Sequence, residues 1–233
     1  MRRLGIIGGL GPAATAHLFS RIVHLTDAAC DAEHLDITVL DRPEIPSRID
    51  YLSGASSVDF VPVLIRAARD LERLSCDVAV IACITAHAGY QRVVAAAPAL
   101  DIIDLPAACV RVLSQRGFKR VGVLASSASI RVGVLQDAMC RSGIEAIVPN
   151  EPEQSKVDDV IYHQVKAGRE VRSDALLCVA GHLQLRGAQA LILGCTELSL
   201  LGISGQLGSL PAVDALEVAA QEAIVECGGR LRS

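Results

Sequence analysis

The sequence predicts an α/β protein with parallel sheets, and three observations carry the prediction. Eight short apolar runs alternate with segments of helical period: LGIIG at Leu4, DITVL at Asp36, DVAVIAC at Asp77, DIIDL at Asp101, RVGVLA at Arg120, EAIV at Glu145, ALILGC at Ala190 and LPAVD at Leu210. Strands separated by helices pair in parallel. The two halves also echo each other: RLGIIGG at Arg3 resembles RVGVLAS at Arg120, DVAVIACIT at Asp77 resembles QALILGCTE at Gln189, and LDIIDLPAA at Leu100 resembles SLPAVDALE at Ser209. This pattern describes a duplicated four-stranded unit, with an unduplicated run of α/β units as the alternative. Finally, 233 residues with 51% hydrophobic content suffice for one large α/β domain or two small ones with cores of their own.

Taken in order, the first strand ends on Gly8, Gly9, Gly11 and Pro12, which open a helix. Glycines there let a ligand approach the backbone, and the helix N-terminus favours a carboxylate or phosphate. Gly9, Gly11 and Ala14 also fit the dinucleotide fingerprint G-x-G-x-x-A. Against that reading, Pro12 removes a backbone donor, and Asp41, the first acid ending the next strand, lies further on than the usual spacing of about 20 residues. The connection from Asp41 to Ser57 is long, and Pro43, Pro46, Ile45, Ile49 and Tyr51 predict an ordered lid carrying Arg48. From Asp59 to Leu74 an amphipathic helix is expected, with Val61, Leu64, Ile65, Ala68, Leu71 and Leu74 on one face, Asp59 as its cap and Pro62 in its first turn.

The third and seventh strands end on thiols, Cys83 and Cys195, each with a helix expected to follow. Ligands of parallel sheets bind outside the carboxyl ends of strands, and a helix N-terminus favours thiolate. The other six cysteines (Cys30, Cys76, Cys109, Cys140, Cys178 and Cys227) are assigned to packing, as reduced thiols with no C-x-x-C pair among them. His87, four residues after Cys83, has three readings: it polarises the thiol, ligates a metal, or begins a helix. No second close pair of ligands completes a zinc site, so no metal is expected. Arg48 and Lys166 are two cations suited to a substrate carboxylate; surface charge and a helix C-terminus are the bland alternatives.

Composition excludes several classes. A net charge of -4 without a Lys/Arg cluster gives no footprint for nucleic acid or anionic membrane, and 3% aromatics with no Trp leaves no stacking platform. The opening MRRLGIIGGLGP is cut by Gly8 and Gly9 before it makes a secretory signal. No run approaches the roughly 18 apolar residues of a membrane span, and a soluble cytoplasmic protein is expected.

Five ordered motifs, GIIGGLGPAAT, IPSR, CITAH, IYHQVKAG and GCTELSLL, spread from Gly5 to about Asp214, resemble the aspartate/glutamate racemase superfamily and are most similar to its aspartate racemase branch. The resemblance implies two pseudo-symmetric domains, residues 1–105 plus 212–233 and residues 106–211, each with a mainly parallel four-stranded sheet flanked by helices. It further implies an active site in the cleft between them, a homodimer, and racemisation of aspartate or a related acidic amino acid without pyridoxal phosphate or another cofactor. In such enzymes one thiolate removes the α-proton from one face while the other thiol protonates the opposite face, and Cys83 and Cys195 fall on those positions. Gly9, Gly11, Arg48, Ile84, Thr85, Lys166 and Thr196 fall on substrate-binding positions, with His87 and Glu197 in support. The chain departs from the family pattern at Ile84, where Asn is usual, at Ser47, where Asp is common, and in the ASSAS turn at Ala125. Three rival readings follow: a related isomerase or decarboxylase of a small carboxylic acid, a catalytically silent amino-acid-binding paralogue that Ile84 would suit, and a nicotinamide-dependent oxidoreductase.

Overall fold

The computed structural model describes residues 1–232 apart from Glu170, Arg172, Ser173 and Ser204. The chain divides into two compact units, Met1–Leu105 with Leu216–Ser233, and Pro106–Ala215. In the first unit the order is β1 (Leu4–Gly8), α1 (Pro12–Leu25), β2 (Ile37–Asp41), α2 (Arg48–Leu52), α3 (Val61–Arg73), β3 (Val78–Ile81), α4 (Tyr90–Ala96) and β4 (Asp101–Ile102). The chain then passes through α5 (Leu105–Gln115) into β5 (Arg120–Leu124), α6 (Ser127–Val132), α7 (Val134–Arg141), β6 (Glu145–Ile147), α8 (Glu151–Asp158), a π-helix over Asp159–Val165, α9 (Asp174–Leu185), β7 (Ala190–Leu193), α10 (Thr196–Ser199), β8 (Gln206–Leu207) and β9 (Leu210–Asp214). Helix α11 (Ala215–Glu226) returns it to the first unit.

The central strands are continuous apolar runs because both their faces are covered: every residue of β1, β3 and β7 is buried. The first sheet has the order β2-β1-β3-β4 and is parallel throughout. The second has the order β6-β5-β7-β9-β8, so its four parallel strands repeat the order of the first. The fifth strand, β8, pairs antiparallel with β9 and has no counterpart in the predicted set. It is two residues long, bounded by Gly205 and Gly208, too short to leave a periodic signal. Because β9 is paired with β7 from Leu191↔Ala212 to Leu193↔Asp214, residues 212–215 belong to the second unit, and the return to the first begins at Leu216. The last residues of the chain are tied beside the first: Arg2 N–H donates to the Cys227 carbonyl at 2.9 Å, Arg21 forks onto Glu217, and Thr26 bridges to Leu231.

The helix expected over 59–74 is α3. Phe60 takes the N-cap, but Asp59 still receives the Val61 N–H at 2.9 Å, so the acid does satisfy one of the unpaired first-turn donors. Its buried face is Val61, Leu64, Ala67, Ala68 and Leu71, while Leu74 lies beyond the last turn and is exposed. The long connection holds α2, capped by Ser47, whose hydroxyl accepts the Asp50 N–H at 3.2 Å. Ile45 is buried in the first unit's core, and Tyr51 meets Phe60 edge-on at 5.7 Å, which seats this segment and with it Arg48.

In a parallel 2-1-3-4 sheet the order in which strands are added reverses between strands 1 and 3, and that crevice at their carboxyl ends is where such sheets bind ligands. In the first unit it is bounded by the glycine turn after β1 and by Cys83 after β3; in the second, by Ala125–Ser127 after β5 and by Cys195 after β7.

Gly9 and Gly54 share a left-handed backbone, φ +84° and +78°, but a Cβ on Gly9 would lie 2.2 Å from the Arg42 carbonyl carbon, whereas nothing lies within 4 Å of one on Gly54. Gly54→Ala is therefore expected to cost about 1–2 kcal/mol for the backbone alone. Gly9→Ala should lose at least about 2 kcal/mol more through overpacking against rigid main chain, compared by urea denaturation.

Candidate active site

In the first unit, β3 hands its pairing on past its end: Ala82 N–H donates to the Ile7 carbonyl at 3.1 Å, and Cys83 N–H to the Ile81 carbonyl at 2.8 Å. A short 3₁₀ helix, Thr85–Gly89, follows and leads into α4. Cys83, Ile84 and Thr85 are all buried. His87 is fully enclosed, and its ring serves the backbone: Nδ1 bonds the Cys83 carbonyl at 2.9 Å, and Nε2 receives the Leu105 N–H at 3.4 Å. The shorter bond, to the Cys83 carbonyl, puts the proton on Nδ1, with Nε2 set between the Leu105 N–H and the Ile103 carbonyl at 3.4 Å each, and burial, opposed in part by the Cys83 and Ile103 carbonyls, keeps the imidazole pKa below its ordinary value. Of the three readings of His87, the start of a helix describes its place, in the 3₁₀ turn before α4, and its ring adds a brace on the main chain of Cys83.

The glycine turn is closed by Thr15, whose hydroxyl accepts the Gly9 N–H at 3.0 Å and donates to the Gly11 carbonyl at 3.1 Å. A Cβ on Gly8 would meet the same side chain at 2.2 Å. Arg48 reaches this turn from α2: Nη2 donates to the Leu10 carbonyl at 3.0 Å, while Nε is buried without a hydrogen-bond partner among the described residues. Arg48 and the Gly9–Gly11 turn are therefore brought together.

In the second unit, Gly194 N–H donates to the Leu124 carbonyl at 2.8 Å, and a Cβ at Gly194 would stand 2.5 Å from Leu135. Cys195 follows, partly exposed, as the N-cap of the single turn α10. Its Sγ donates to Glu197 Oε2 at 2.9 Å, and the Thr196 hydroxyl reaches the same oxygen at 3.4 Å. The other oxygen, Oε1, is 3.1 Å from Lys166 Nζ, and the Glu197 side chain is only 7% exposed. The π-helix sets up this pairing. Lys166 N–H closes onto the Ile161 carbonyl five residues back, and Nζ lies 5.5 Å from the centre of the Tyr162 ring. Burial pushes the Lys166 ammonium down, but Glu197, then Cys195 and Tyr162, outweigh it and hold the pKa above the usual lysine range.

Lys166, Thr196, Glu197 and Cys195 are thus gathered in the second unit, and Cys83, Ile84, Thr85 and His87 in the first. Tyr162 and Ser126 were not anticipated. Burial raises the Tyr162 phenol while a bond to Ser126 lowers it in part. The sequence signal available for the tyrosine was its place four residues before Lys166, which puts it on the same side of a helical turn. The turn after β5 is also held from α8: Ser127 N–H donates to Asp158 Oδ1 at 2.8 Å, and Gln154 Nε2 to the Ala125 carbonyl at 2.8 Å. Among the described residues no helix is long and apolar enough to cross a membrane.

Residues 7–223 match the family model described as Asp/Glu/Hydantoin racemase. The aspartate racemase of Picrophilus torridus superposes with a TM-score of 0.86 at 26% identity, over 100% of this chain and 96% of that one. A Pyrococcus horikoshii structure described as an aspartate racemase homologue gives 0.83 at 20% identity, over 98% and 100%, a likeness of fold. The glutamate racemase of Corynebacterium glutamicum is 34% identical over 140 residues, 59% of this chain and 50% of that protein. The chain spans half to two thirds of the length of the curated relatives it matches.

Burial of neutral His87 fixes a pH dependence of stability. The unfolded imidazole binds a proton near pH 6.5 and the folded one does not, so stability is complete above that pH and falls as pH drops below it. The slope belonging to this residue should be about 1.4 kcal/mol per pH unit. Thermal denaturation between pH 7.5 and 5 is expected to show this fall in the parent and less of it in His87→Gln.

Proposed function

Since the chain belongs to the Asp/Glu/Hydantoin racemase family, we propose that it is a cofactor-independent amino-acid racemase that inverts aspartate or a related acidic amino acid with two thiols. The observation that carries this reading is positional: Cys83 and Cys195 follow equivalent strands, β3 and β7, at the reversal points of two sheets with the same strand order. Reversible inversion requires a base and an acid of matched strength, one serving each face of the α-carbon, because each takes the other's role in the reverse direction. In the proposed reaction a thiolate takes the α-proton, the electron pair stays on the α-carbon, and the second thiol supplies a proton to the opposite face.

An acidic substrate is supported by Arg48. A buried guanidinium nitrogen without a partner forgoes a hydrogen bond worth about 1–3 kcal/mol, and a carboxylate would supply it. Lys166 would serve the same end only by sharing its charge with Glu197. Thr85 and Thr196 flank the thiols as hydroxyl donors, the Gly9–Gly11 turn offers close backbone approach, and buried Ile84 adds an apolar wall where a donor would hold a charged group more firmly. The reading includes a homodimer in the cytoplasm, without pyridoxal phosphate, nucleic acid or membrane as partners. A second reading, a related isomerase or decarboxylase using one thiol, is favoured by the unlike settings of the sulfurs: a histidine braces the main chain of Cys83, whereas Cys195 is bonded to a carboxylate.

Purified protein incubated with single enantiomers of aspartate and glutamate in deuterium oxide, followed by chiral chromatography and mass analysis, is expected to show inversion coupled to α-deuteration. Cys83→Ser and Cys195→Ser should each lower inversion by at least about 10²–10⁴-fold, the range of general acid–base catalysis. Loss in only one would select the single-thiol reading, and no turnover by the parent would select a silent binding protein. Arg48→Ala should weaken aspartate turnover by about tenfold or more while leaving any alanine turnover within twofold; equal losses on both would remove the acidic-substrate assignment.

A further inference from the structure

Two thiols exchanging roles account for Cys83 and Cys195 but not for Glu197, a carboxylate 5% exposed in the turn that follows Cys195. One of its oxygens takes the Cys195 thiol at 2.9 Å and the Thr196 hydroxyl at 3.4 Å, and the other meets the Lys166 ammonium at 3.1 Å. A buried carboxylate keeps its charge only when paired, and Lys166 is the pairing cation. The groups set around the sulfur in this unit are Glu197, Lys166 and Tyr162, with Asp158 beyond the tyrosine.

Building on the racemase reading, we infer that Glu197 governs the proton of Cys195, holding this sulfur as the thiol in the resting protein, so that Cys195 is the acid and Cys83 the base of the first half-reaction. A thiolate at Cys195 would stand 2.9 Å from a carboxylate oxygen, and two like charges that close strongly disfavour joint ionisation. Among the described residues no carboxylate is bonded to the Cys83 sulfur, and the group bonded to its main chain is a neutral imidazole. The proton count closes as follows. Cys83 thiolate takes the α-hydrogen as the carbon–hydrogen bond breaks, its electron pair remaining on the α-carbon. That carbon takes the proton of Cys195 on its other face, leaving Cys195 as thiolate beside Glu197. After the product departs, Cys195 takes a proton from water and Cys83 releases one, which restores the resting state. Lys166 limits the repulsion in between. Glu197 is thus a positioning residue, acting through the sulfur.

The test reads thiol chemistry without turnover. Full-length parent, Glu197→Gln and Glu197→Asp are treated with iodoacetamide at pH 7, and alkylation at each cysteine is followed by peptide mass spectrometry. Glu197→Gln keeps the shape and removes the charge, so Cys195 should alkylate at least about fivefold faster while Cys83 stays within twofold. Glu197→Asp, which retains a carboxylate, should return Cys195 to within about threefold of the parent. An unchanged or slower Cys195 in Glu197→Gln overturns the proposal. Should both thiols accelerate together, the packing has loosened and Glu197→Asp decides: slow Cys195 alkylation sustains the proposal and fast alkylation overturns it. A protein that fails to racemise would defeat the functional reading and still leave this result standing.

Discussion

Parallel pairing of the third strand of each sheet with the first is the constraint on which the site depends. In the first unit Ile7 is level with Ile81, which places the glycine turn and Cys83 side by side at one sheet end; in the second, Leu124 is level with Leu193, which does the same for the Ala125–Ser127 turn and Cys195. A slip of one residue in either pair would reverse every side chain across the sheet and carry the sulfur away from its turn. Register is therefore defended by burial on both faces. Leu71 fills the space above Gly5 so closely that a Cβ there would lie 2.5 Å from it, and Leu191 and Leu183 treat Gly122 in the same way. The small residues within the strands are what allow helices to sit near enough to lock that register.

Much of this could be read from the chain because the signals are local. A buried parallel strand is a short apolar run, and a thiol or glycine closing the run is visible without knowing what lies beside it. The amphipathic α3 was legible for the same reason, down to Asp59 at its start. Features that depend on contacts between distant segments were not. Nothing in the spacing of His87 from Cys83 distinguishes a bond to the thiol from one to the carbonyl; that choice is made by Leu105 N–H, eighteen positions away, which takes up the other ring nitrogen. Likewise the sequence offers Lys166 as a free cation, and only the fold shows Glu197 against it. The π-helix is invisible in hydrophobic pattern because one wider turn shifts the phase of the helix by a single residue.

The electrostatics of the two units differ accordingly. Around Cys83 the polar demand is met by backbone and by an uncharged ring, an arrangement insensitive to salt. Around Cys195 it is met by a buried carboxylate whose loss of water is offset by an ammonium that stays in reach of solvent. Removing Lys166 leaves a buried carboxylate without its cation, so these residues are coupled and their individual substitutions would not add. Two units with the same order of parallel strands thus give their thiols chemically unlike surroundings.

The interleaving of the units bears on how the protein is made. The first unit takes its closing helix from the end of the chain, where Leu216, Ala219, Ala220, Ala223 and Ile224 are buried and the last residues are bonded beside the first. During synthesis the ribosome delivers the whole second unit before that helix, an interval on the order of ten seconds at about 5–20 residues per second. The second unit is covalently complete first and can fold while the first still presents an open apolar face. The nascent chain is accordingly most exposed to misassociation in the interval before α11 emerges, and a truncation of that helix would be felt at α1, whose Arg21 forks onto Glu217.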